Sequence, residues 1–76
     1  MEANMGKAVN YKFTVIIQKE ENWYVAKCAE NNVTSQGKTL EESLDNLKEA
    51  VELYYEDNPA PIVILPIFVS TMEVSI

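Results

Sequence analysis

The chain has 76 residues, enough for one domain and too few for two, with twelve acidic residues against six lysines, no arginine and a net charge of −6. Holding nucleic acid takes basic surface to neutralise phosphates, with arginine making much of the base-edge contact, so this composition argues against direct nucleic-acid binding and favours a basic protein partner. Histidine is absent and Cys28 is the single cysteine; a disulfide framework is therefore excluded, and so small a domain, burying only about 60% of its surface, is expected to draw stability from self-association or a partner.

Residues 1–10 have no periodicity and read as a flexible leader without the apolar stretch of a secretory signal. From residue 11, Tyr11, Phe13, Val15 and Ile17 alternate with Lys12, Thr14, Ile16 and Gln18, the two-residue period of a strand with one apolar face. The polar run 19–22 is a hairpin turn. Over 23–30 the alternation resumes, Tyr24, Ala26 and Cys28 pointing one way and Trp23, Val25 and Lys27 the other. Asn31-Asn32, which tolerates left-handed backbone, is a second turn, and 33–36 is a short third strand closed by Gly37.

Thr39-Leu40-Glu41-Glu42 is a capping box, in which the Thr39 hydroxyl accepts from the Glu42 amide and the Glu42 carboxylate reaches back to the Thr39 amide. Leu40, Leu44, Leu47, Val51 and Tyr54, with Ala50, then recur at spacings of three and four, giving an amphipathic helix that Pro59 brings to an end. Residues 60–66 contain Pro61 and Pro66 and read as an extended return. Residues 67–76 read as a last strand, with Phe68, Met72, Val74 and Ile76 on one side and Thr71, Glu73 and Ser75 on the other. The apolar stretch 62–69 is too short to cross a bilayer as a helix, and the chain is expected to be cytoplasmic.

The order β-β-β-α-β predicts a single α+β domain over 11–76, an antiparallel sheet with one helix on one face. One helix covers one face, so Ile16, Trp23 and Val25 are left together on the other, where clustered apolar groups mark an interface and tryptophan is a common anchor. The alternative is Trp23 tucked under the leader or the return connection. Chemistry has little to work with. There is no histidine to act as base or ligand, and Gly6 and Gly37 are too few glycines for a phosphate-cradling loop. The acids Glu41, Glu42, Asp45, Glu49, Glu52 and Glu56 lie on the solvated side of a helix. No enzyme activity, metal or cofactor is expected, and Cys28 reads as a small buried residue rather than a nucleophile.

The segments Trp23-Tyr24-Val25-Ala26, Cys28-Ala29-Glu30 and Val33-Thr34-Ser35-Gln36-Gly37, followed by Thr39-Leu40-Glu41-Glu42-Ser43-Leu44, together resemble the N-terminal domain of the HicB-like antitoxins. The resemblance covers 11–56 and implies a partial ribonuclease-H-like fold of the same order without its catalytic carboxylates. It also implies a partner, a small basic toxin ribonuclease of HicA type that the antitoxin binds and masks. Many relatives carry a further C-terminal DNA-binding domain; none is expected here, nor any operator binding. The first hairpin lacks the Asp-Gly or Gly-Gly frequent in the family.

On this reading the partner-binding residues are Glu20, Glu21, Trp23, Glu30, Glu41 and Asp45, beside the sheet-face set Ile16, Trp23 and Val25. The alternative is a solitary HicB-like protein without a toxin, a scaffold that associates with its own copies as a dimer or larger homo-oligomer through the open sheet face or the last strand. A ribonuclease-H-type enzyme is disfavoured by the residues.

Overall fold

The computed structural model describes residues 9–76. Most of the leader expected over 1–10 therefore lies outside the described residues. Three strands, β1 (Val15–Lys19), β2 (Tyr24–Cys28) and β3 (Thr34–Gly37), form an antiparallel sheet in the order β1-β2-β3, and the helix α1 (Leu40–Asp57) follows. The architecture is α+β, with α1 on one face of the sheet.

The turns are held by local hydrogen bonds. The Glu20 amide donates to the Trp23 carbonyl at 2.8 Å, which leaves Glu21-Asn22 as the tip of the first hairpin. Asn32 adopts a φ of 63°, a conformation asparagine accepts more readily than most side chains. Its neighbour Asn31 accepts from the Val33 amide at 3.0 Å and donates to the Tyr55 hydroxyl at 3.2 Å, fastening this turn to the helix. β1 starts four residues later than the alternation from Tyr11 suggests. The Thr14 amide is turned to the Glu30 carboxylate instead of a strand carbonyl, so the regular ladder begins only at Val15.

The helix begins where the capping signal places it. Thr39, with extended backbone, accepts from the Glu42 amide at 3.0 Å. The return arm differs from expectation: the Glu42 carboxylate accepts from the Lys38 amide, one residue before the cap. Asn46 adds a tie from the second turn, donating to the Gln36 carbonyl at 2.9 Å.

Gly37 fixes the approach of β3 to this helix start. A Cβ there would stand 2.5 Å from the Ser43 nitrogen and 2.8 Å from the Glu42 carbonyl carbon, so no side chain fits. Ser43 is fully buried, and its hydroxyl is satisfied by the Leu40 carbonyl at 2.7 Å, the local bond that serine offers within a helix. With Ser43 turned to the sheet, the buried stripe of α1 becomes Ser43, Leu47 and Val51. Leu40, Leu44 and Tyr54, expected on that stripe, are exposed. Tyr55 takes the inward place and stacks on Phe13 with ring centroids 5.8 Å apart. The core is Ala26, Cys28, Leu47 and Val51, flanked by Phe13, Ile17, Val33 and Tyr55.

The last strand expected over 67–76 has no ladder partner among the described residues. Pro59, Pro61 and Pro66 hold the connection extended, and it passes Ala29 and Glu30 near residues 63–67 without turning back along a sheet edge. The chain is correspondingly long, 60 × 28 × 18 Å, with a radius of gyration of 15.5 Å against about 11 Å for a compact chain of this length. No helix among the described residues is long and apolar enough to cross a membrane.

Gly37→Ala is expected to destabilise the domain, because the new methyl meets backbone rather than a movable side chain. Overpacking of this kind costs about 1–3 kcal/mol, or roughly 5–20 °C in Tm for a domain this small, readable by thermal denaturation followed by circular dichroism. An unchanged Tm would show that the joint between β3 and α1 is slack.

Candidate protein-binding surfaces

The sheet register decides which side chains share a face. Ile17 is opposite Ala26, and Ala26 is opposite Ser35. Ala26 and Cys28 are fully buried under α1, so Val15 and Ile17 belong to the helix side. Ile16, opposite Lys27, and Val25, opposite both Gln18 and Gln36, belong to the other side, and strand alternation places Trp23 with them. Ile16 is 50% exposed and Trp23 45%, while Val25 is half-buried between them. Neither the described leader residues nor the return connection seals this face. Glu20 and Glu21 border it at the hairpin tip, both exposed.

The remaining acids are not brought together with that face. Glu41 and Asp45 are each two residues from a buried position of α1, Ser43 or Leu47. At 3.6 residues per turn this directs them away from the sheet, on the opposite side of the molecule from Trp23. Of the six residues expected to meet one partner, Glu20, Glu21 and Trp23 thus lie on one surface and Glu41 and Asp45 on another.

Glu30 has a different role again. One carboxylate oxygen accepts from the Thr14 amide at 2.8 Å and the other from the Thr14 hydroxyl at 2.9 Å; the Cys28 thiol lies 3.6 Å from the first. Glu30 clamps the start of β1 to the end of β2 and is half-buried. Its partial removal from water favours the neutral acid, but the hydrogen bonds from Thr14 outweigh this and hold its pKa below the usual carboxylate value. Cys28 shifts the other way. Burial raises its thiol pKa, opposed by backbone hydrogen bonds at Glu30 and Asn31, which disfavours the thiolate form. Among the described residues no group of three or more histidine, cysteine, aspartate or glutamate side chains converges on a metal position.

A third surface was not foreseen from the sequence. α1 packs on β3 and β2, and beyond it, over the β1 side of the sheet, lies an open apolar groove of about 530 Å³. Tyr11, Phe13 and Val15 line one side, and Leu44, Val51 and Tyr55 the other. The apolar alternation from Tyr11 is the signal that could have pointed to it, since its aromatic residues extend beyond the part of β1 that α1 covers.

Glu30→Gln is expected to lower stability at pH 7 and to approach the wild type in acid. A depressed folded pKa contributes stability above the unfolded carboxylate value, and that contribution is lost as pH falls through the folded one. Urea denaturation of both proteins from pH 7 downward reads the difference; a gap that stays constant with pH would remove the clamp from the account.

A family model matches residues 6–63, described as a family of unknown function, DUF7387. A UPF0150 protein of Helicobacter pylori (strain J99) is 49% identical over 43 residues, covering 55% of this chain and 60% of that protein. The UPF0150 protein ssr1765 of Synechocystis sp. (strain PCC 6803) is 44% identical over 48 residues, covering 60% of this chain and 61% of its own length. The chain therefore spans about three-fifths of the curated relatives it matches. No solved structure matches. The family match takes in the whole sheet and the helix, and the chain belongs to DUF7387.

Proposed function

We propose that this protein is a cytoplasmic, non-catalytic binding module of antitoxin type, similar to the HicB-like proteins, which masks a small basic toxin ribonuclease of HicA type. The observation that carries the reading is the sheet face opposite α1, where Ile16 and Trp23 stand about half exposed on adjacent strands around Val25. An exposed tryptophan in an apolar cluster rimmed by charge is the usual make-up of an interface anchor. Glu20 and Glu21 at the rim, with a net charge of −6 over the chain, suit a basic partner, whose approach opposite charge accelerates.

The division of the acids between two sides sharpens the assignment. Glu20, Glu21, Ile16, Trp23 and Val25 form the docking surface. Glu41 and Asp45 act at long range through the net field, and Glu30 holds the fold beneath. Masking needs no chemistry from the module itself, in keeping with a chain that has no histidine. It requires only that the docked surface cover the partner's working site.

The test is co-expression with a small basic ribonuclease of HicA type, taken from the neighbouring reading frame where that encodes one, followed by co-purification and a growth assay. A complex that relieves growth arrest is the expected result, and Trp23→Asp should weaken binding about 30-fold or more, the scale of an anchor worth at least about 2 kcal/mol. Glu41→Gln should leave the dissociation rate unchanged and reduce only the salt-dependent association rate. Failure to form any complex, or binding that survives Trp23→Asp in a folded variant, removes the reading.

A further inference from the structure

Two unsatisfied features of this chain are complementary, and the chain as folded does not bring them together. The first is the outer edge of β1, which among the described residues pairs only with β2. The Ala29 amide donates to the Thr14 carbonyl and the Glu20 amide to the Trp23 carbonyl. With that register the even-numbered residues of β1 exchange hydrogen bonds with β2, and the N–H and C=O of Val15 and Ile17 point outward, with no ladder partner among the described residues. Beside that edge lies the apolar groove between β1 and α1.

The second is the segment 67–76. Phe68 is 91% exposed and Met72 87%, with Val74 and Ile76 exposed on the same alternating side. Glu73 is its one charged residue. It belongs to no strand and has no ladder partner among the described residues, and its sequence period of two gives an apolar face with Phe68, Met72, Val74 and Ile76 and a second face with Ile67, Val69, Thr71, Glu73 and Ser75. Each chain thus carries one open strand edge flanked by an apolar groove and one strand-patterned segment with an apolar face.

We propose that two copies of this chain exchange their 67–76 segments, each segment adding to the outer edge of β1 in the partner copy and burying Phe68 and Met72 in the groove there. A strand added to an edge gains main-chain hydrogen bonds, and its alternate side chains fill the adjacent hollow. The occupant is a second copy rather than the chain's own segment because Pro59, Pro61 and Pro66 stiffen a connection that already lies against the groove at Ile62 and against Ala29 and Glu30 at 63–67, and beyond it Phe68 and Met72 stay 91% and 87% exposed in the single chain. Reciprocal exchange of an identical element closes as a two-fold dimer without any new surface having to be built. Each segment would span about 33 Å as a strand. The Trp23 face lies on the other side of the sheet, so the exchange leaves the proposed docking surface open.

Size-exclusion chromatography with light scattering on the full chain tests the proposal, joined to amide hydrogen exchange at Val15 and Ile17. The expected result is a dimer of twice the 8.6 kDa chain mass in which both amides are protected. The double substitution Phe68→Asp and Met72→Asp should give a monomer in which both amides exchange at least tenfold faster. These side chains lie in solvent in the single chain, so helix content by circular dichroism should persist in the variant. A monomeric wild type overturns the exchange, and if its Val15 and Ile17 amides are protected, the segment has folded on its own edge. A dimer that survives the double substitution but dissociates on Trp23→Asp also overturns it, since association then runs through the open sheet face. A dimer with freely exchanging Val15 and Ile17 amides does the same.

Discussion

The contact between β3 and the first turns of α1 determines where everything else in this protein lies. Gly37 lets the strand backbone come against Ser43 and Glu42 where a Cβ would collide, and the Asn46 bond to Gln36 holds the second turn there. The helix is thereby set over β3 and β2 rather than centred on the sheet. A helix is about 10 Å wide, close to the span of two strands at 4.8 Å spacing, so a helix displaced to one edge leaves the far strand uncovered. The apolar groove beside β1 follows from that displacement, and so does the thin core of four buried apolar residues.

The same contact separates what the sequence makes legible from what it does not. The alternation of β2, the Asn31-Asn32 turn and the Thr39 cap are local signals, and each appears where its residues put it. The helix stripe is not a local property. Leu40, Leu44 and Tyr54 fit the period as well as Leu47 and Val51, and only the tertiary demand that Ser43 face Gly37 turns the helix so that Tyr55 points inward and Tyr54 outward. The segment 67–76 has a strand's pattern but no ladder partner among the described residues. Periodicity reports which side chains would share a face, whereas a ladder partner is a matter of chain path, which the prolines constrain.

The candidate site was legible to a similar extent. Strand parity alone puts Ile16, Trp23 and Val25 on one face, because residues two apart on a strand and those opposite in register must share a side. Parity could not show that Glu30 is engaged by Thr14, a contact spanning sixteen residues, nor that Glu41 and Asp45 lie across the molecule from Trp23. The motif most specific to the family resemblance, Ser35-Gln36-Gly37 into Thr39-Leu40-Glu41-Glu42-Ser43, is in this structure the joint between strand and helix. Its side chains serve steric fit and capping.

The exposed segment 67–76 also bears on how the protein is kept in solution. Ten residues with Ile67, Phe68, Val69, Val74 and Ile76 and no proline among them have the composition that stacks into cross-β assemblies when strands are left free. Pro66 limits how far such a stack can spread toward the body of the domain, and Glu73 provides the repulsion between neighbouring ribbons in register. The one charge on this most apolar stretch therefore sits where neighbouring ribbons would meet in register.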